Sequence, residues 1–285
     1  MRAMVLTAPG PIAGADRLEL RELPVPEPGP GELLVQVHAT GINRGELTLV
    51  QMREDFRPGQ EIAGVVADGP RQGERVVGLA DWHGWAPYAT VPEHRTVPLP
   101  GDIDFATAAA LPMAGNTALN LIRLGGDLLG RNVTVTGASG GVGVIATQLA
   151  QLAGANVTAT SAVTEDSPGD QHVILESVGG ASLDQAIANV ALGGLILVFG
   201  NSSKEPSTLD FRAFAGRDRV RIQTFFSAHY EHLAADNLRT LLGLVADGRL
   251  QVEVGLQTPL ADVNDALDAL DQRRVRGKAV LRMDH

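Results

Sequence analysis

The chain contains no cysteine, which excludes disulfides, thiolate nucleophiles and cysteine-ligated zinc at once. Lysine is nearly missing too. Only Lys204 and Lys278 occur, so arginine carries the positive charge, and 23 basic residues face 33 acidic ones for a net charge of −10. That balance leaves no basic surface for nucleic acid or for an anionic membrane. No run reaches the ~18 consecutive apolar residues of a membrane span. The opening "MRAMVLTAPGPIAG" lacks the apolar core of a signal peptide, so the expected compartment is the cytoplasm. No internal repeat and no low-complexity segment interrupts the 285 residues, which suffice for one or two well-buried domains.

Two textures divide what is present. Up to about residue 100, short alternating segments read as strands: "ELLVQVHAT" (32–40), "EIAGVVAD" (61–68) and "ERVVGLA" (74–80). Proline- and glycine-rich pieces such as "ELPVPEPGPGE" (22–32) separate them. From Asp104 the chain turns helical in two pieces, broken near Pro112. Strand and helix then alternate: strand 131–137, helix 141–154, strand 156–161, strand 172–178, helix 181–190, strand 194–200, strand 219–226 and a helix near 233–247. Such alternation predicts a parallel sheet with helical cover. The tail from about 250 returns to mixed β/α character.

"VTVTGASGGVGVIATQLA" sets Gly137, Gly140, Gly141 and Gly143 between a strand and an amphipathic helix. Glycine there lets a pyrophosphate approach the backbone, and the free N–H groups and dipole of the helix favour the anion. Two rival readings use the same residues. Gly137-Ala138-Ser139-Gly140-Gly141 also fits G-x-S-x-G, the nucleophile elbow of serine hydrolases, with His172, His229, His232 and His285 downstream. A tight turn without a ligand is the other. His229 and His232, three residues apart, read as a solvated segment and not as a metal pair.

Taken in order, "PEPGPGELLVQVHATGIN" (25–43), "PGQEIAGVV" (58–66), "AALPMAGNTAL" (109–119), "GASGGVG" (137–143), "ESVGG" (176–180), "VFGNSS" (198–203) and "GKAVLRM" (277–283) run through nearly the whole chain. By these segments it resembles the zinc-independent quinone oxidoreductases of the medium-chain dehydrogenase/reductase superfamily. The resemblance implies an α/β protein. A GroES-like β-rich substrate domain would form from 1–110 and 249–285, with a Rossmann domain at 111–248 and the active site in the cleft. It implies Ser139, Gly140, Gly141 and Val142 at the pyrophosphate of NADP or NAD, and Ser161 at the adenosine ribose. Val178, Gly179, Gly200 and Asn201 would line the rest of the cofactor. Thr117 and Asn43 would lie near nicotinamide and substrate, and Glu46 takes the place of an acid that often follows that asparagine by three residues. Zinc is not implied, since Asn43 and Gln60 stand where zinc-dependent relatives carry a cysteine and a histidine. A homodimer pairing through the strand at 219–226 is implied as well.

The chain departs from that pattern in two places. Between the strands at 156–161 and 172–178 lie only ten residues, Ala162 to Gln171, where the family has two helices and a strand. In a sheet of order 3-2-1-4-5-6 the missing strand 3 is terminal, so a shortened Rossmann sheet without that edge can stay contiguous. The strand before the gap ends at Ser161, followed by Glu165 and Asp166 with no base nearby. On the substrate side the tyrosine that relatives tend to carry after the asparagine loop is missing, and "DWHGW" (81–85) offers Trp82, Trp85 and the proton donor His83 instead, or simply a packed loop. The expected function is NAD(P)H-dependent reduction of a quinone or conjugated enone, with Asn43 or Thr117 steadying the carbonyl oxygen. The alternative is a redox-silent cyclase, lyase or isomerase of a polyketide-like molecule, with Glu46, Gln60 and His83 as acid–base groups. A non-catalytic binding role is the third reading.

Overall fold

The computed structural model describes residues 1–6, 18–52 and 56–283. Fourteen strands and seven helices follow one another among these residues. The first part holds β1 (Arg2–Leu6), β2 (Leu18–Glu22), β3 (Glu32–Ile42), α1 (Arg44–Met52), β4 (Glu61–Val66), β5 (Arg75–Leu79), β6 (Tyr88–Pro92), β7 (Thr96–Pro98), α2 (Phe105–Ala109) and α3 (Pro112–Gly125). The middle holds β8 (Asn132–Val135), α4 (Gly141–Leu152), β9 (Asn156–Ala159), β10 (Gln171–Glu176), α5 (Gly180–Asn189), β11 (Val190–Val198) and β12 (Arg221–Thr224). The last part holds α6 (Ala234–Ala246), β13 (Val254–Pro259), α7 (Val263–Asp271) and β14 (Lys278–Arg282).

Two compact units result, Met1–Asn116 with Glu231–His285, and Thr117–Tyr230. The sequence places the boundaries at 110/111 and 248/249, and the difference lies mainly in α6. That helix packs on β5 and β7. Its Asn237 also donates to Asn116 Oδ1, and its Leu241 lies so close to Gly115 that a Cβ there would stand 2.7 Å away. Burial against the β-rich unit decides the membership of a helix whose sequence follows the parallel strands.

In the β-rich unit the sheet runs β13-β14-β3-β4-β5-β7, with β6 also paired to β3. The alternation of β3 is what makes it the spine: Leu33, Val35 and Val37 are buried while the residues between them are half-exposed. The C-terminal β14 lies antiparallel to β3, Ala279 opposite Ile42, so both ends of the chain build one sheet. Val35, Val37, Ile62, Val76, Trp85 and Leu281 form the centre of its core.

The other unit is a five-stranded sheet of order β12-β11-β10-β8-β9, parallel at every pairing. This is the doubly wound order with strand 3 removed, as expected. The connection after β9 returns to β10 without a helix. Its Val163 is buried among Ile174, Ile187, Val190 and Ile196. Val163 N–H donates to Ser182 Oγ at 3.0 Å, and Asn189 Nδ2 donates to the Thr164 carbonyl at 3.4 Å. One apolar side chain and two hydrogen bonds to α5 thus hold the segment that replaces the missing edge.

Candidate active site and cofactor cradle

Three loops meet at the C-terminal ends of the parallel strands, where open α/β sheets take ligands. The first is the glycine loop. Gly137 has φ 56°, and its N–H and that of Ala138 donate to the carbonyls of Ser161 and Thr160 at 3.1 and 3.0 Å. The end of β9 is thereby stapled to the loop. Gly140 is the N-cap of α4, so the N–H groups of Gly141, Val142 and Gly143 begin the helix with no carbonyl behind them. A Cβ on Gly143 would come within 2.3 Å of the Gly137 carbonyl oxygen. Only glycine lets helix and loop come this close, which leaves the cradle open to a pyrophosphate.

The second and third loops follow β10 and β11. Glu176 is fully buried and accepts from Val178 N–H, Gly179 N–H (2.9 Å) and Ser182 Oγ–H (2.8 Å). The carboxylate therefore folds its own loop into shape. Ser202 and Ser203 N–H donate to the carbonyls of Ser177 and Val178 at 3.0 and 2.8 Å, zipping 177–180 to 200–203. Val178, Gly179, Gly200 and Asn201 are thus brought together, and Gly137 of the glycine loop lies against Ser177. A Cβ on Gly179 would stand 2.2 Å from Asn201 Oδ1, and one on Gly137 2.6 Å from Ser177 Oγ. The N–H groups of Val178 and Gly179 are already spent on Glu176. Ser161, Glu165 and Asp166 are exposed. His172 lies at the opposite end of the strands, where its Nδ1 accepts from Asn132 N–H at 3.1 Å, far from the serine of a nucleophile elbow. His229 stands against the Phe226 ring. His285 lies outside the described residues.

The β-rich unit holds a buried polar cluster. Lys278 Nζ contacts Glu61 Oε2 at 2.6 Å, with side chains 4% and 0% exposed. The ammonium also donates to Asn43 Oδ1 (2.6 Å) and the Ile42 carbonyl (3.1 Å). Asn43 Nδ2 donates to Glu61 Oε2 at 2.8 Å, and Met113 N–H to Glu61 Oε1 at 2.6 Å. This fixes the amide of Asn43: its oxygen is held by an obligate donor, and one of its two N–H bonds is left to point elsewhere. Sequence reasoning did not single out Glu61 or Lys278. A lone lysine within the apolar strand "KAVLR" was the available signal.

Glu46 is tied into the start of α1. It is 2% exposed, in the first turn of α1, and its Oε2 accepts Asn43 N–H at 2.7 Å while Oε1 accepts Gly59 N–H at 3.0 Å. This is the reciprocal half of a capping box, legible as Asn43-x-x-Glu46. Burial raises its carboxyl to about 8, with Glu61 adding to the rise, while the two N–H donors and Lys278 oppose it. Gln60 is half-buried at the head of β4, its carbonyl accepting Ala80 N–H at 2.7 Å. Trp82 and His83 both lie in the left-handed region, φ 77° and 67°. Burial and the charge of Arg57 hold the His83 imidazole below its ordinary value, with Asp81 opposing. Thr117, on α3, is 7% exposed and falls in the other unit.

Among the described residues no three His, Asp or Glu side chains converge as a metal site would require, and no helix is long and apolar enough to cross a membrane.

Comparison with known proteins agrees with this architecture. Residues 29–101 match the alcohol dehydrogenase GroES-like domain, and residues 121–281 match the family described as zinc-binding dehydrogenase. Prostaglandin reductase-3 of Bos taurus is 30% identical over 92% of this chain and 84% of its own length. A chloroplast envelope quinone oxidoreductase homolog of Arabidopsis thaliana is 28% identical over 94% of each. Among solved structures, the mycobacterial protein Rv1454c complexed with NADPH superposes with a TM-score of 0.88 at 25% identity, covering 99% of this chain and 100% of that one. Two ends of one chain in a single β-rich sheet, a five-stranded parallel sheet with a glycine cradle, and these matches have one reading: the chain is an oxidoreductase of the medium-chain dehydrogenase/reductase superfamily, in its quinone oxidoreductase-like branch.

Proposed function

We propose that the protein is an NADPH-dependent reductase of a quinone or conjugated enone. The observation that carries this reading is the cradle, in which a Cβ on Gly143 would collide with the Gly137 carbonyl and the N-cap Gly140 offers no side chain to the first N–H groups of α4. NADPH is preferred because a relative of this fold is known with it bound, and because Ser161 offers a hydroxyl at the ribose end. Bound there, reduced nicotinamide supplies two electrons and a proton to the electrophilic carbon. The protein's own part is to hold and polarise the acceptor. Asn43, locked by Lys278 and Glu61, directs its remaining N–H at the carbonyl oxygen, where negative charge grows in the transition state. Gln60 supplies a further hydrogen bond, and water returns the second proton. Glu46 acts as a positioning residue that fixes the Asn43 backbone. Zinc has no part in this scheme. Two chains pair through β12, an edge strand whose four residues are all exposed, followed by the exposed Phe226.

Calorimetric titration of nucleotide-stripped protein with NADPH and NADH tests the cofactor, and oxidation of NADPH with a quinone and an enone acceptor tests the reaction. Micromolar binding followed by acceptor-dependent oxidation is expected. No binding at millimolar concentration overturns the proposal in favour of redox-silent chemistry on a polyketide-like substrate.

A further inference from the structure

The connection that leaves β9, residues 160–164, bonds to more than α5. On one side the carbonyls of Thr160 and Ser161 accept Ala138 N–H and Gly137 N–H at 3.0 and 3.1 Å, so the connection holds the glycine loop. On the other, Val163 N–H donates to Ser182 Oγ at 3.0 Å, and the same hydroxyl donates to Glu176 Oε1 at 2.8 Å. Glu176 in turn fixes Val178 N–H and Gly179 N–H, and the carbonyls of Ser177 and Val178 fix Ser202 and Ser203. Ser177 N–H donates to Thr136 Oγ1 at 2.8 Å, which returns the chain of bonds to the residue before Gly137. A closed circuit thus joins the three loops of the cradle, and Ser182 is where the trimmed connection enters it.

Every member of that link is enclosed. Val163, Ser182 and Glu176 are all buried, so a partner lost there is not replaced by solvent. A serine hydroxyl accepts one hydrogen bond while giving another. Here it accepts from a backbone N–H and gives to a carboxylate. Alanine in its place would leave Val163 N–H without an acceptor and Glu176 short of one donor. The loop that Glu176 holds is one that needs holding. Gly179 lies at φ 73° and ψ −165°, a region open to glycine almost alone, and Gly180 follows at φ 50°. As N-cap of α5, Gly179 brings no capping side chain. The Glu176 carboxylate, braced by Ser182, binds the N–H groups that lead into the helix instead.

We propose that Ser182 is a positioning residue of the cofactor site. Through Glu176 it ties the loop 177–180 to the connection leaving β9, so that the end of the cradle at Ser161 and the end at Val178 and Gly179 are ordered together. The assignment to a cofactor rests on the reductase reading; the coupling between the two loops does not. Ser182 itself touches no ligand, because its hydroxyl is taken up by Val163 and Glu176. It acts on affinity through the fraction of molecules whose loop is in place: a site that is competent one-tenth of the time binds about tenfold more weakly.

The test compares Ser182→Ala with Asn189→Ala in the full-length protein. The second variant removes the other bond to the same connection, from Asn189 Nδ2 to the Thr164 carbonyl, and leaves the Glu176 circuit whole. Thermal unfolding by circular dichroism sets a temperature at which the wild type and both variants are folded. Hydrogen exchange without cofactor is then read by NMR at the amides of Val163, Val178 and Gly179, and NADPH binding by calorimetry. In Ser182→Ala, exchange is expected to be at least tenfold faster at all three amides and NADPH binding at least tenfold weaker. In Asn189→Ala, Val178 and Gly179 keep the wild-type rate and NADPH binds within about threefold of the wild type. Should Ser182→Ala fail to fold, Ser182→Cys, close in size but with only a weak S–H donor, is read at the same amides and is expected to shift them in the same direction. Faster exchange at Val163 with Val178 and Gly179 unchanged overturns the proposal. So does wild-type NADPH affinity in the Ser182 variant, or an equal loss of affinity in Asn189→Ala. Failure of the reductase reading shows separately, as a wild type that binds no NADPH, which overturns the cofactor assignment while the exchange rates still decide the coupling.

Discussion

Replacing Glu46 by glutamine separates two forces acting on one buried side chain. The carboxyl is almost wholly enclosed, and its pKa lies at about 8 in the folded protein against 4.5 in the open chain. Below 4.5 both states hold the proton, and the stability tied to it is fully present. As pH rises from there towards 8, the unfolded chain ionises and the folded one does not, so stability falls by up to ~1.4 kcal/mol per pH unit, on the order of 5 kcal/mol in all. Glutamine does not titrate. Its oxygen replaces one acceptor, for Asn43 N–H or Gly59 N–H, but its Nε2 cannot accept from the other. A buried N–H left unsatisfied costs about 1–3 kcal/mol. Glu46→Gln is therefore expected to be the less stable protein at pH 5, to draw level near about pH 6, and to be the more stable at pH 8. Both tryptophans, Trp82 and Trp85, lie in the β-rich unit, so urea unfolding followed by tryptophan fluorescence reports on the unit that contains Glu46. A stability difference constant from pH 5 to 9 would refute the argument. It would show that the two N–H donors and Lys278 outweigh burial and keep Glu46 ionised in the fold.

Lys278→Met strands the Glu61 carboxylate without its counter-charge and should cost about 3–5 kcal/mol in the same unfolding assay, while adding Glu61→Gln should restore much of the loss; a cost below about 1 kcal/mol contradicts the pairing. Gly143→Ala forces α4 away from the glycine loop and is expected to weaken NADPH binding at least tenfold by calorimetry. Wild-type affinity in that variant would mean the close approach is not needed. His83→Gly relieves a left-handed residue whose side chain is exposed, and should stabilise the β-rich unit by up to about 1 kcal/mol, partly offset by chain entropy; a loss of stability would show that the imidazole contributes packing.

The sheet that bears the cradle could be read directly from the chain, because parallel strands are marked by short apolar runs and the glycine loop by its place between strand and helix. Even the missing strand was legible, since the residues between "NVTATS" and "HVILESV" are too few for the family's usual crossover. What escaped were features made by distance along the chain. Lys278 meets Glu61 across 217 positions, and no local pattern marks such a pair. The contacts of Glu46 escaped for another reason: the Asn43-x-x-Glu46 capping pattern was there, but it was not read as a cap. Helix α6 was assigned by its neighbours in sequence, whereas Asn237 and Leu241 choose the β-rich unit by packing.

Dropping strand 3 also changes what the molecule presents to other chains. With it gone, β9 has no partner on its outer side among the described residues, and an open parallel edge is a template for unwanted strand addition. The residues there blunt that hazard. The strand is four residues long, none of them buried, and Asn156 turns its amide inward to the Gly130 carbonyl and Asn132 Oδ1, each at 3.3 Å. Thr158 adds a polar side chain to the same short edge. The trimmed flank is thus a poor seed for aggregation, while the opposite edge, β12, keeps Ile222 in the open, with Phe226 exposed just beyond it. Shortness and polar side chains thus close to strand addition the flank that the lost strand would have covered.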